Sequence, residues 1–135
     1  MNSNAMITLE NTYTNTGLYC SMVPDTDEKR IAAYKLLGNA DRKLSEAINM
    51  NIVITDFALE RTEVTNTETG EVNYAPRISI LTADGVVYGC VSGGILRALK
   101  RLCLLFGEPT WKDGITVTVR QREYNGRRVF DFDLV

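Results

Sequence analysis

Apolar and polar positions alternate in short runs through residues 50–135, give way once to a longer period, and then alternate again. Ile52, Ile54, Phe57 and Leu59 alternate with polar neighbours, but the phase slips by one near Asp56. One extra residue in a strand has this effect, so a β-bulge bending a long first strand is predicted. After the turn-rich run Asn66-Thr67-Glu68-Thr69-Gly70-Glu71, Val72, Tyr74, Ile78 and Ile80 alternate with Asn73, Arg77 and Ser79. Pro76 cannot donate to a ladder, which predicts an edge or a bulge there. Ala83-Asp84-Gly85 signals a tight hairpin, and Val86, Tyr88 and Cys90 make a short third strand.

The period then becomes helical. Ile95, Leu96, Leu99, Leu102, Cys103 and Phe106 share one face behind Ser92, an N-cap residue type, and Gly107 with Pro109 ends the run. Ile115, Val117 and Val119 restart the alternation. Asn125-Gly126 tolerates positive φ at both positions and predicts a two-residue hairpin into Arg128, Phe130, Phe132 and Leu134.

Strand-strand-strand-helix-strand-strand is the element order of the OB fold, a small barrel that binds oligonucleotides or oligosaccharides. The chain therefore reads as mainly β with helices (α+β): an OB-like five-stranded barrel over residues 49–135 with an N-terminal helical extension at 26–48. In that extension Thr26 caps a helix whose apolar face is Ile31, Tyr34 and Leu37, and Gly38 stops it. Asp41 is placed to cap a second short helix through Leu44, Ala47 and Ile48. Residues 1–25, rich in Thr and Asn from residue 6 on, read as a flexible arm. Ser3-Asn4-Ala5 before Met6 reads as the scar of a removed tag.

Composition narrows the picture. The chain has 135 residues, enough for one domain with one core, and 44% are apolar. No apolar run approaches the ~20 residues of a membrane span, and no secretory signal is visible, so no membrane association is expected. Cys20, Cys90 and Cys103 are odd in number and far apart, and a reducing cytoplasm suits them. There is no histidine and no paired-cysteine spacing, so neither a metal site nor a cofactor is expected. Without histidine a nucleophile–base pair is hard to build, so no catalytic residue is nominated.

The net charge of −2 disfavours a duplex-DNA binder that depends on phosphate neutralisation. Its distribution matters more. Residues 1–85 carry 7 basic and 12 acidic side chains, a balance of −5, whereas residues 86–135 carry 8 and 5, a balance of +3. The last hairpin, Arg120-Gln121-Arg122-Glu123-Tyr124-Asn125-Gly126-Arg127-Arg128, gathers four arginines and a tyrosine about one turn. Arginine pairs with phosphate and stacks on bases, and tyrosine offers a π-face, so Arg120, Arg122, Tyr124 and Arg127 are candidate nucleic-acid contacts. The alternative is a solvated hairpin. On strands two and three, Tyr74 and Tyr88 are either stacking platforms or core residues. Arg77, with Asn73, points to the opposite face of its strand, where a charged ligand contact is easier to build, so Arg77 joins the candidate nucleic-acid contacts. Arg97, Lys100 and Arg101 read as a solvated helix face, and Glu60, Glu63, Glu68 and Glu71 as a solvated loop. Trp111 is expected to pack over the barrel end.

These residues resemble a known family. Asp84-Gly85-Val86-Val87-Tyr88-Gly89-Cys90-Val91-Ser92, with the helix and two strands after it, is similar to the single-stranded DNA-binding proteins of protein-primed tailed bacteriophages of Gram-positive hosts. So are Asn39-Ala40-Asp41-Arg42-Lys43-Leu44-Ser45 and Phe106-Gly107-Glu108-Pro109-Thr110-Trp111, and the likeness spans about residues 34 to 135. It implies sequence-independent binding of single-stranded DNA, coating displaced strands during phage or mobile-element replication in a bacterial or phage-infected cytoplasm. It also implies a contact role for Tyr88, and replication proteins or further copies of the chain as partners. The chain ends in a strand at Asp131-Phe132-Asp133-Leu134-Val135, so recruitment through a long acidic tail is not expected. A non-enzymatic interaction or assembly module is the competing expectation.

Overall fold

The computed structural model describes Tyr13 and residues 16–38 and 40–135. Its elements are β1 (Leu18–Cys20), α1 (Asp27–Gly38), β2 (Arg42–Lys43), a 3₁₀ turn (Leu44–Ala47), β3 (Asn51–Thr65), β4 (Val72–Thr82), β5 (Val87–Val91), α2 (Gly93–Phe106), β6 (Ile115–Tyr124) and β7 (Arg127–Leu134). The strands form one sheet in the order β2-β5-β4-β3-β6-β7, with β1 added to β3, and the sheet curls into a half-barrel. From β3 onward the elements follow the order read from the sequence.

The bulge falls where the alternation slips. Ile54 pairs with Thr82 and Asp56 with Leu81, so the register shifts between them. Phe57 and Leu59 then lie opposite Ile80 and Ile78 on the concave face, while Ala58 lies opposite Ser79 on the other. Phe57, Leu59, Ile78 and Ile80 are fully buried, together with Ile95 and Leu99 of α2 and Val117 and Val119 of β6. Trp111 closes this core as expected: it is 7% exposed, its ring lies 6.0 Å from that of Phe57, and its indole N–H donates to the Gly107 carbonyl. Both turns also form as read, with positive φ at Gly85 and at Asn125 and Gly126. Pro76 sits on a stretch of β4 beyond the reach of β5, which pairs only with Arg77–Leu81, so its missing N–H disturbs no β4–β5 ladder.

Several expectations are corrected. Seven strands are present among the described residues where five were expected, since β1 and β2 are too short to reveal an alternation. The half-barrel is not closed by hydrogen bonds, since no ladder among the described residues joins β5 to β7. Instead α2 packs against β4 and β7. The segment read as a flexible arm contributes β1 at its C-terminal end, with Tyr19 buried against Phe57 at 5.4 Å between ring centroids. Residues 1–12, 14, 15 and 39, including the tag-like scar, lie outside the described residues.

In the N-terminal extension, Thr26 caps α1 through a hydrogen bond from the Lys29 N–H. The helix buries Ala33 and Leu36, leaving Ile31 and Tyr34 exposed. Small Ala33 allows a close approach, and Leu36 packs with Ala58 and Val87 on the convex face of the sheet. Asp41 caps no helix. Its backbone N–H donates to the Val87 carbonyl and its carboxylate accepts from the Val87 N–H, which fastens the chain to the start of β5. The following turn is 3₁₀, with the Lys43 N–H donating to the Glu46 carboxylate.

The α2–β7 seam has one tight point. A Cβ on Gly94 would collide with the Phe130 carbonyl oxygen and sit 2.8 Å from Val129 Cγ1, whereas one on Gly93 would meet open space. Gly94→Ala is expected to destabilise the fold by about 1–3 kcal/mol, the usual cost of overpacking. Gly93→Ala is expected to be neutral or slightly stabilising. Urea midpoints of the two variants decide the matter, and equal midpoints would refute the seam.

Candidate nucleic-acid interface

The Asn-Gly turn fixes the register of the last ribbon. Tyr124 pairs with Arg127, Arg122 with Val129, Arg120 with Asp131 and Thr118 with Asp133. Directly opposed residues share a face, so Arg120, Arg122, Tyr124 and Arg127 stand together, as do Asp131 and Asp133. The opposite face carries Val117, Val119, Phe130 and Phe132 toward the core. Four of the six predicted contact residues are thus brought to one surface by alternation alone.

That surface is less basic than its sequence. Arg120 Nε donates to Asp133 Oδ2 at 2.9 Å, and Arg122 Nη2 donates to Asp133 Oδ1. Arg122 Nε also lies 3.6 Å from Asp131 Oδ2. Arg120 Nη1 donates to Asn49 Oδ1 at 3.0 Å, which ties the ribbon to the start of β3. The hydrogen bond from Arg120, together with the charges of both arginines, holds the Asp133 carboxyl below its usual range, outweighing the opposing effect of desolvation. Arg127 and Arg128 make no ion pair among the described residues, and both are exposed.

Tyr88 lies across from Ile80 on β5 and packs against the main core on one side. Its remaining surface lines two adjoining cavities. The first, of about 260 Å³, also has Met50, Asn51, Thr82 and Asp84 in its wall. The second, of about 390 Å³, has Arg42, Glu46, Met50 and Asp84. Arg42 pairs with Tyr88 across the parallel β2–β5 contact and also lines a third cavity of about 460 Å³ with Lys43 and Arg77. Arg77 makes no contact with the ribbon arginines among the described residues. It lies 3.5 Å from Glu60 Oε1 and donates to the Gly38 carbonyl at the end of α1. Shared walls thus link Arg77, Lys43 and Arg42 to Tyr88 and Met50, and Asn49 beside Met50 reaches Arg120.

Sequence reasoning missed Arg42, Lys43 and Met50. Their only local signal was a basic pair beside an apolar turn, and their place depends on the β2–β5 pairing. Tyr74 stands apart: it is exposed on the β3–β4 hairpin, with the Arg61 guanidinium 5.4 Å from its ring centroid. Glu63, Glu68 and Glu71 are exposed, and no group of His, Cys, Asp or Glu among the described residues is arranged to hold a metal ion. Cys20, Cys90 and Cys103 are free thiols, and burial pushes Cys90 and Cys103 up to about 12, so both stay protonated at neutral pH. No helix among the described residues is long and apolar enough to cross a membrane.

Comparison with known proteins finds no matching family model, no matching curated protein and no matching solved structure.

The Asp133 pairing carries its own pH dependence. A carboxyl held low in the folded state stabilises the fold above the unfolded value of about 3.9, and that stabilisation is lost as pH falls through the folded value. Urea titrations of wild type and Asp133→Asn are expected to differ slightly and constantly from pH 7 to about pH 5, as befits an exposed pair. The difference should close below about pH 3.9. A gap that widens in acid would contradict the pairing.

Proposed function

We propose that this protein binds single-stranded DNA without sequence preference, through an OB-like half-barrel whose ligand track runs from the β2–β5 edge to the β6–β7 ribbon. One observation carries the reading: arginines and partly exposed tyrosines alternate along connected surface. Arg120, Arg122 and Arg127 flank Tyr124, and Arg42 stands beside Tyr88. A track of this kind suits a flexible strand, because guanidinium groups follow phosphates while bases stack on aromatic rings. A duplex, with its bases already stacked, has no use for the tyrosines. In this reading the protein coats and protects strands displaced during replication of a phage or mobile element.

A second reading, an assembly module, draws on Ile31 and Tyr34 of α1 and Leu104 and Leu105 of α2. These large apolar side chains remain 58%, 79%, 70% and 70% exposed. It predicts an oligomer insensitive to salt and indifferent to DNA. Binding and self-association are compatible in one protein, so the DNA measurement comes first.

The test is anisotropy of a labelled dT oligomer of about 30 nucleotides, longer than one OB-type footprint. Trp111 is buried in the core and is a poor reporter of stacking. Tight binding that weakens steeply with salt is expected, and absence of binding at low salt would sink the reading. Tyr88→Leu and Tyr124→Ala are each expected to cost about 1–3 kcal/mol of binding, and Tyr88→Phe much less. Arg127→Ala should lower the salt slope by about 0.7, one single-strand phosphate contact, without changing the melting temperature.

A further inference from the structure

We propose that Asp133, assisted by Asp131, is a specificity-determining residue that reserves Arg120 and Arg122 for a polymer of linked phosphates and denies them to single phosphates and mononucleotides. The inference rests on the single-strand reading above and assigns the carboxylates their part in it.

The geometry is that of an occupied phosphate site. A guanidinium offers its donors in a fixed fork that suits carboxylate and phosphate alike. Asp133 presents one oxygen to Arg120 Nε and the other to Arg122 Nη2, bridging the two side chains. Asp131 stands at Arg122 Nε, and Asn49 takes Arg120 Nη1. Both Nε edges, from which a bidentate contact is made, are therefore engaged by groups fixed on the neighbouring strand or at the start of β3. A phosphate making a bidentate contact must therefore displace a carboxylate at Arg122, and a carboxylate or the Asn49 amide at Arg120.

Tethering decides which anions succeed. The carboxylates are part of the same ribbon, so their local concentration at the arginines is high, and a free monophosphate competes from dilute solution. A strand behaves differently once part of it is held. Arg127, at the tip, makes no ion pair among the described residues and lies opposite Tyr124 on the arginine face. A strand captured there delivers its next phosphates to Arg122 and Arg120 at a comparable local concentration. Binding thus starts at the turn and spreads along the ribbon toward Asn49, and each carboxylate displaced is matched by a phosphate. The arrangement opposes small anions by leaving them a carboxylate to evict, a means of selectivity independent of added contacts.

The test uses the full chain in four forms: wild type, Asp133→Asn, Asp131→Asn, and Asp133→Asn combined with Arg122→Ala. Affinity for the labelled dT oligomer is measured against salt, and displacement is followed with thymidine monophosphate and with inorganic phosphate. Asp133→Asn is expected to bind the oligomer on the order of ten-fold more tightly at low salt, with a salt slope steeper by up to about 1.4 as two arginines become available. It should also become displaceable by the monophosphate at concentrations that leave wild type untouched. Asp131→Asn should shift in the same direction by less, and it keeps the proposal testable should Asp133→Asn fail to fold. Adding Arg122→Ala should remove most of the gain. Wild-type binding with no gain, or a loss, in both folded Asp→Asn variants overturns the proposal and leaves the single-strand reading standing. No binding by wild type overturns the reading itself.

Discussion

Everything in the half-barrel depends on one irregular place, the bulge at Thr55–Asp56. On one edge β3 pairs with β6 through Asn51–Ile54 and with β1 through Ala58–Glu60, while β4 occupies the other edge. The bulge lies where the first edge passes from β6 to β1. Its polar groups would be costly if buried without partners, and they are satisfied from two distant segments. The Thr55 carbonyl accepts from the Trp111 N–H, and Asp56 accepts from the Ser21 and Thr110 hydroxyls. Ser21 also takes the Phe57 N–H on its Oγ. The bend in β3 is therefore held by Ser21, just after β1, on one side and by the loop after α2 on the other.

The same economy of partners governs the ribbon. A stretch with four arginines looks strongly basic, yet its Asp131, Asp133 and Glu123 leave the hairpin close to neutral. Alternation gathers Arg120, Arg122 and Arg127 with Asp131 and Asp133 on one face, so recognition there is an exchange of anions more than an addition of them. Tyr88 has a comparable double role: one side of its ring completes the core and the other is offered to the cavities beside Met50. A substitution at either place tests folding and binding together unless the two are measured separately.

Local signals made much of the architecture legible. The phase slip at Asp56, the Ala83-Asp84-Gly85 and Asn125-Gly126 turns, the Ser92 cap and the Gly107 stop each act within a few residues, and each appears in the structure. What was hidden depends on distant pairing. β2 shows no period in two residues, so Arg42 and Lys43 could not be set beside β5. The buried side of α1 was misread because Ile31 and Tyr34 are the larger side chains, whereas close docking favours Ala33. The carboxylate partners were different in kind: counting back from the Asn-Gly turn sets Arg120 opposite Asp131, so this neutralisation could have been read from the sequence.

The β3–β4 hairpin outruns its neighbours. The β1 ladder ends at Glu60, just before the Arg61 N–H donates to the Gly17 carbonyl, and the β5 ladder ends at Arg77. Among the described residues Thr62–Thr65 and Val72–Ala75 therefore have ladder partners only in each other. A two-stranded ribbon is marginal in water, and among the described residues this one is joined to the body mainly through its own two strands. Its amides open to solvent without disturbing the core, so hydrogen exchange in this molecule runs on two clocks. The faster belongs to this acidic ribbon and the slower to the strands gathered around the bulge.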